Sequence, residues 1–542
     1  MREPAVEIRS PGLAAEAGAL VDKLVAEQVA SALAAGDPTL WGPQAEQEAA
    51  RRLAWVALPE TSRPLLATIE ALRADLHSDG IDRVVLAGMG GSSLGPEVIC
   101  ASAAAGHSSS PLTVLDTTDP GQVADALAGN LKRTVLVVSS KSGSTVETDS
   151  HRRVFAAAFA AAGLDPAAHL VVVTDPGSPL QRLAQEQGYR AVITADPDVG
   201  GRYSVLTAFG LVPAGLAGAD IASLLDNAAE LAPLLSVDHP ANPGLLLGAA
   251  LGAAHAAGAD KVVLADTGSG IVGFGDWAEQ LIAESTGKDG TGLLPVVVEG
   301  PGGAGFGDGK PDAIPVAIGP GIDSAAVAVT GTLGAQFLLW EHATAVLGRL
   351  LGINPFDQPD VEAAKIAARS LLDGTAGPGP DPAFIEADVA VYPVGSWLPA
   401  GSATLIDALR ALIAATPAGG YLAVQAYLDR IADASAAVLR AELARRTAHQ
   451  TTFGWGPRFL HSTGQYHKGG HQNGSFLLLT GAVEEDIPVP DTSFTLGELQ
   501  RAQARGDAEV LAARGRPVLR LHLLDRAAGM VQVVRAVQEL SP

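Results

Sequence analysis

The segment Ser139-Ser140-Lys141-Ser142-Gly143-Ser144-Thr145 brings four serines, a threonine and a lysine around one glycine. Hydroxyls, backbone N–H groups and one ammonium suit the terminal phosphate of a small molecule. The segment follows the apolar run 134–138, and a helix is expected from Val146, whose N-terminus would add partial positive charge. The plainer alternative is a serine-rich helix cap, which needs one hydroxyl and not five. A second turn, Gly88-Met89-Gly90-Gly91-Ser92-Ser93, also follows an apolar run, 84–87. It lacks the third glycine of a dinucleotide fingerprint, no acidic residue is placed for a ribose, and a tight turn explains it as well as a ligand does. No Gly-x-x-x-x-Gly-Lys-Ser/Thr occurs, which excludes a Walker loop.

A third polar stretch is Arg458-Phe459-Leu460-His461-Ser462-Thr463-Gly464-Gln465-Tyr466-His467-Lys468-Gly469-Gly470-His471. His461 or His467 could supply acid/base chemistry, and Arg458 or Lys468 could touch phosphate; a loop that docks two domains is the alternative. Metal ligation is disfavoured, because Gly469-Gly470 breaks any helix that would align His467 with His471 and no carboxylate has ligand spacing. The single cysteine, Cys100, excludes an intramolecular disulfide and a cysteine-cluster metal site.

These loops need a scaffold, and the chain of 542 residues is long enough for two to four domains. To about residue 79 the texture is helical, with Leu20, Leu24, Val25, Val29 and Leu33 at 3.6-like spacing. From Asp82 short β-branched runs alternate with Gly/Ser loops and helical stretches: 84–87, 112–115, 134–138 and 169–174. The pattern returns at 261–265, 294–298 and 313–318, with helices expected over 277–285 and 333–351 and a glycine-crowded surface loop over 299–310. Continuous apolar strands between helices mean parallel sheets covered on both faces. After a Gly/Pro-rich break at 373–382, a third region carries plausible strands at 389–392, 421–424, 476–479 and 518–521. The expected architecture is α/β: a helical segment 1–79, related αβα domains over 80–230 and 231–373, and a C-terminal α/β extension over 383–542.

Lys+Arg 36 against Asp+Glu 59 gives a net charge of −23, which argues against nucleic acid or an anionic membrane as partner while permitting a local cationic pocket. The N-terminus lacks the apolar core of a signal peptide, and the stretch 244–259 falls short of a membrane span. A cytoplasmic enzyme or binding protein is expected.

Five motifs, in order, resemble those of the glucose-6-phosphate isomerase family. They are Gly88-Met89-Gly90-Gly91-Ser92-Ser93-Leu94-Gly95-Pro96, Ser140-Lys141-Ser142-Gly143-Ser144-Thr145-Val146-Glu147-Thr148, Gly200-Gly201-Arg202-Tyr203-Ser204-Val205, Glu284-Ser285-Thr286-Gly287-Lys288 and Asn354-Pro355-Phe356-Asp357-Gln358-Pro359-Asp360-Val361-Glu362-Ala363-Ala364-Lys365. The version is similar to the isomerase part of bacterial fusions with transaldolase. The resemblance implies two sugar-isomerase (SIS) domains and a reaction without metal or cofactor, in which a proton moves between C1 and C2 through an enediol(ate).

By the same resemblance Glu284 falls on the base, a task for a carboxyl of raised pKa. Arg202 falls on the cation that stabilises the enediolate. Ser140, Lys141, Ser142 and Thr145 fall on the phosphate clamp, Ser92 on a substrate-contacting serine and Glu147 on a supporting glutamate. Gln358 and Lys365 fall beside the sugar, Lys365 assisting ring opening; spacing alone would make it an ordinary helix lysine. The family also takes a ring-opening histidine from the neighbouring subunit of a homodimer. Between Glu284 and Gln358 this chain has only His342, which reads as structural, so His461 and His467 become the candidates for that task. The expected activity interconverts glucose 6-phosphate and fructose 6-phosphate in glycolysis and gluconeogenesis. The alternatives are a broader isomerase accepting mannose 6-phosphate and a non-catalytic SIS-domain sensor, which would need no base.

Overall fold

The computed structural model describes residues 5–104, 112–372 and 379–540; part of the Gly/Pro-rich break at 373–382 lies outside them. The first described residues are not helical: Ala5–Ile8 form β1, which runs antiparallel along an edge of the second sheet, Ala5 opposite Thr330. Four residues with alternating exposure read as an edge strand and give too short a pattern to stand out from the helices that follow.

The first sheet holds β2 (Arg83–Gly88), β3 (Thr113–Leu115), β4 (Thr134–Ser139), β5 (Leu170–Thr174) and β6 (Ala191–Thr194) in the order β3-β2-β4-β5-β6, all parallel. Every residue of β4 and β5 is buried, which is why these strands read as unbroken valine-rich runs. From β2 the chain crosses to β3 on one side and then to β4 on the other. The loops after β2 and β4 therefore diverge, and the crevice beyond their carboxyl ends is where open α/β sheets hold ligands.

The second sheet repeats the scheme with β7 (Lys261–Asp266), β8 (Leu294–Val297), β9 (Ala313–Ile318) and β10 (Val327–Thr330) in the order β1-β10-β9-β7-β8. The third holds β11 (Phe384–Glu386), β12 (Val389–Val394), β13 (Tyr421–Tyr427), β14 (Gln450–Trp455), β15 (Gly474–Gly481) and β16 (Val518–Leu523) in the order β11-β12-β16-β15-β13-β14. It is mixed: β14, β13, β15 and β16 run parallel, while β12 is antiparallel to β16 and β11 to β12.

The third sheet is not a detached appendage. Val263, Leu294 and Val296 of the second sheet share one core with Tyr421, Phe476 and Val518 of the third. Val489 and Leu496 enter the core beneath the first sheet beside Val85 and Leu136. The loop 299–310 is pinned to the third lobe by Arg440 Nε, which donates to Glu299 at 2.7 Å.

The glycines after β2 serve close approach of loops. A β-carbon on Gly91 would overlap the carbonyl of Gly201, and one on Gly90, where φ is +55°, would lie 2.9 Å from the carbonyl oxygen of His461. Gly91→Ala is therefore expected to cost about 1–3 kcal/mol, the usual range for overpacking a filled interior. Gly12→Ala, where a β-carbon meets nothing within 4 Å, is the control and should be neutral. Thermal midpoints measure both; equal midpoints would show that the 89–91 and 200–204 loops do not touch.

Candidate active site

The loops after β2, β4 and β5 converge on a cavity of about 440 Å³ with residues from 200–201, 280–284, 356–365 and 460–461. Ser92, Ser140, Lys141, Ser142, Thr145, Glu284, Gln358, Lys365 and His461 all line it. The hydroxyl loop folds on itself: Ser140 Oγ lies 3.0 Å from Thr145 Oγ1 and accepts the Gly143 N–H at 3.2 Å, with Gly143 at φ +68°. The helix Val146–Ala161 starts directly after it, and Thr145 makes no side-chain cap. The hydroxyl of Thr145 therefore does not cap the helix, and the first N–H groups of the helix lack a side-chain partner from that residue. Lys141 Nζ is not idle: it donates to Asp175 Oδ2 at 2.7 Å and to the Pro197 carbonyl at 3.1 Å. Burial holds the Asp175 carboxyl above its ordinary range, with Lys141 pulling the other way.

Arg202 is 2% exposed and lies directly behind the cavity wall. Its Nε donates to Ser285 Oγ at 2.9 Å, and one terminal nitrogen to Glu284 Oε2 at 3.2 Å and Gln358 Oε1 at 2.8 Å. The other terminal nitrogen reaches the carbonyls of Pro355 at 2.7 Å and Asp357 at 2.9 Å. Glu284 sits in the last turn of the helix Phe274–Thr286. Burial raises its pKa above the usual carboxylate value, opposed by Arg202, Gln280 and His461. A carboxyl shifted upward in this way is a stronger base than an ordinary carboxylate.

His461 belongs to the short 3-10 turn Arg458–His461, laid over Gly90. Its Nε2 lies 3.1 Å from Glu147 Oε1, which also accepts from Gln503 Nε2 at 2.7 Å. Glu147 is buried, yet His461 holds its carboxyl below the ordinary value against the opposing effect of burial. Glu147 lines a contiguous cavity of about 460 Å³. His467 is not brought to either cavity. It is 2% exposed, its Nδ1 lies 3.0 Å from Tyr421 Oη, and burial pushes its pKa well down. His342 packs edge-on against Trp55 with Nδ1 2.9 Å from the Leu338 carbonyl. Lys468 is buried against Asp507, and Lys365 stands half-exposed, 3.7 Å from Glu362.

Arg458 does not reach the cavity; it anchors the turn that does. Its Nη1 lies 2.6 Å from Glu97 and 2.7 Å from Asp116, while Arg430 donates to the other Glu97 oxygen at 2.7 Å. Gln280 and Gln503 also escape sequence reasoning. Gln280 Nε2 donates to the His461 carbonyl at 2.9 Å, and its place one helical turn before Glu284 was the available signal. Gln503 carried none. Among the described residues no group of three or more His, Cys, Asp or Glu is placed to hold a metal ion.

Two related parallel sheets with the cavity at the switch point of the first make this a protein of the double SIS class. The phosphoglucose isomerase family model matches residues 72–253. A glucose-6-phosphate isomerase of Thermosynechococcus vestitus is 31% identical over 379 residues, 57% of this chain and 71% of the relative. That of Acaryochloris marina is 35% identical over 247 residues, 43% of this chain and 47% of the relative, so this match spans about half the relative's length. A hypothetical protein of Thermus thermophilus superposes with TM-score 0.57 at 26% identity, covering 69% of this chain and 100% of that one. A glucose-6-phosphate isomerase of Chlamydia trachomatis shares the fold with TM-score 0.50 at 20% identity, over 67% of this chain and 85% of its own. The chain belongs to the glucose-6-phosphate isomerase family.

Removing Arg458 strands the buried Asp116 and leaves Glu97 to Arg430 alone beneath the His461 turn. Arg458→Met is expected to cost about 3–5 kcal/mol, as breaking buried pairs does. Glu97 is held down to about 2: burial would raise it, and Arg458 and Arg430 override burial. A depressed carboxyl stabilises the fold above its unfolded value of 4.5 and loses that contribution as pH falls towards 2. The gap between wild type and Arg458→Met should therefore narrow between pH 5 and pH 3, measured by thermal midpoints. A constant gap would remove Glu97 as the partner that matters.

Proposed function

We propose that the chain is a glucose-6-phosphate isomerase, interconverting glucose 6-phosphate and fructose 6-phosphate without metal or cofactor. One observation carries the reading: a buried carboxyl, Glu284, fixed by a buried arginine, faces the same cavity as a hydroxyl-rich loop at an uncapped helix N-terminus. The cavity volume, about 440 Å³, is of the size that takes a small ligand.

In this mechanism Ser140, Ser142, Thr145, the N–H groups of the helix and Lys141 bind the phosphate, with Ser92 at the sugar. The phosphate does not react, so its binding energy orients the carbons that do. His461, paired with Glu147, moves the proton between O1 and the ring oxygen as the pyranose opens, assisted by Lys365; His467 has no part in it. Glu284 removes the proton from C2, giving the enediolate; the hydroxyl proton on O2 passes to O1, and Glu284 returns its proton to C1 as the C2 carbonyl forms. Charge that develops on O1 and O2 meets the field of Arg202, which Gln358 shares. The base is what favours an enzyme over an SIS-domain sensor. Acceptance of mannose 6-phosphate is a second reading, since C2 epimers share the enediol. The protein is further proposed to act in the cytoplasm as a homodimer, with 80–230 and 231–373 as its SIS domains, 383–542 as the third unit and no nucleic-acid or membrane partner; the net charge of −23 supports the last point.

Glu284→Gln should lower kcat by about 10²–10⁴, the usual worth of a positioned base, and leave KM nearly unchanged. The wild-type rate should rise with pH through a value above the ordinary 4.5, because the base works ionised and burial raises its pKa. A coupled assay on fructose 6-phosphate in EDTA, with mannose 6-phosphate beside it, measures both. Near wild-type turnover in Glu284→Gln would remove it as the base; loss of turnover on adding EDTA would overturn the metal-free chemistry.

A further inference from the structure

Among the described residues, the third lobe borders a second cavity of about 520 Å³, between β12, β16, the helix Leu496–Ala513 and the apolar side chains of Leu371 and Leu372, with Gly379 at its edge. Leu499 and Gln503 of that helix line the cavity that Glu147 and His461 border; Arg501, Ala502 and Arg505 line this other one. Tyr392 and Arg520 sit opposite each other in the β12–β16 register, and His522, two residues on, shares their face. Leu478 and Val518 on this face still belong to the apolar core with Ala504 and Leu511, so the polar cavity opens where that core ends.

Three guanidiniums border it: Arg501, Arg505 and Arg520. Elsewhere in the lobe Arg440, Arg514 and Arg526 meet carboxylates, as Arg505 does in Glu509. Among the described residues Arg501 and Arg520 make no ion pair. Arg520 instead lies over the Tyr392 ring, 3.8 Å from its centroid, and also engages the Tyr392 hydroxyl, which takes up one face and part of the edge of the guanidinium and leaves its other N–H donors for a ligand. The one carboxylate at the rim, Glu498, is engaged in capping the helix through the Thr495 N–H at 2.9 Å. Burial lowers the pKa of Arg520, and burial with the charges of Arg520, Arg501 and Arg526 pushes His522 down to about 4. Arg501 and Arg520 thus face one concave site of a chain whose net charge is −23, and Arg520 is the more withdrawn from water of the two. An anion there would meet N–H donors that no carboxylate of the described residues fills.

We propose that this cavity is a binding site for a small polyanion, a compound carrying two phosphoryl groups, separate from the isomerase site. Arg520 takes the anion bidentately while stacked on Tyr392, Arg501 closes on it from the helix, and Thr480 supplies a hydroxyl at the cavity wall.

The test is calorimetric titration of inorganic pyrophosphate into the full chain with fructose 6-phosphate present at saturation, which keeps the first site filled. Wild type should bind pyrophosphate saturably. Arg520→Gln, and separately the exposed Arg501→Gln, should each weaken binding about tenfold, the worth of a charged hydrogen bond, while KM for fructose 6-phosphate stays within about twofold. Citrate in place of pyrophosphate distinguishes the source: tighter citrate binding overturns the phosphoryl assignment in favour of a polycarboxylate. Pyrophosphate binding that fructose 6-phosphate abolishes, or that both variants retain, would overturn the site. Absence of isomerase turnover would count against the proposed function alone, since the titration does not depend on it.

Discussion

A guanidinium sealed from water has to have its donors filled by the protein, and Arg202 fills them with groups from two segments distant in sequence. Ser285 and Glu284 come from the end of one helix; Gln358 and the carbonyls of Pro355 and Asp357 come from the loop 354–358. Lys288 adds a second buried cation at the same loop, donating at 2.7 Å to the carbonyls of Asn354 and Asp357 and to the Asp357 carboxylate. Burial and the nearby Arg202 lower the Lys288 pKa to about 8. Two cations can lie so close only because carbonyl and carboxylate oxygens of one loop separate them. The position of Glu284, the course of 354–358 and the reach of Gln358 are therefore consequences of one requirement, that the Arg202 charge be compensated where it is buried.

The third lobe answers a different requirement. A parallel sheet must be covered on both faces, and here part of that cover comes from residues beyond 379: Phe476 and Val518 against the second sheet, Val489 and Leu496 beneath the first. The same docking delivers chemistry. Arg458 locks the turn to Glu97 and Asp116, Gln280 holds the carbonyl of His461, and Gly90 has no side chain to obstruct it. Glu147, reached by both His461 and Gln503, is one of several carboxylates the first lobe shares with the third.

Sequence makes the strands of the first two sheets visible because they are buried on both faces and hence uniformly apolar, as in β4 and β5. It hides β1 and β6, short edge strands with few buried residues, the four-residue β10, and β14, whose Gln-Thr-Thr-Phe-Gly-Trp pattern belongs to a sheet edge. The loops after β2 and β4 are legible for the same reason as the strands they follow. His461 and His467 are not separable by composition: six positions apart, one caps a turn over Gly90 and the other stacks on Tyr421 at 5.6 Å. Only the packing of the third lobe decides between them. Glutamines such as Gln280 and Gln503 act through one amide placed at one distance, and no local pattern records that.

The electrostatics of the cavity follow from this division of labour. Its permanent cation, Arg202, spends every donor on the protein and can act on a ligand only through its field, which a dry wall leaves strong. Its flexible cation, Lys141, is held by Asp175 at 2.7 Å and a carbonyl at 3.1 Å, an arrangement an arriving dianion can share. On the proposed function, affinity for the anionic end of the substrate would reside in hydroxyls, helix N–H groups and an exchangeable lysine, while the reacting end would meet groups that are already fixed. That reading gives binding and proton transfer to different segments lining one cavity, and the fixed segment carries the carboxyl on which the position of the proton would depend.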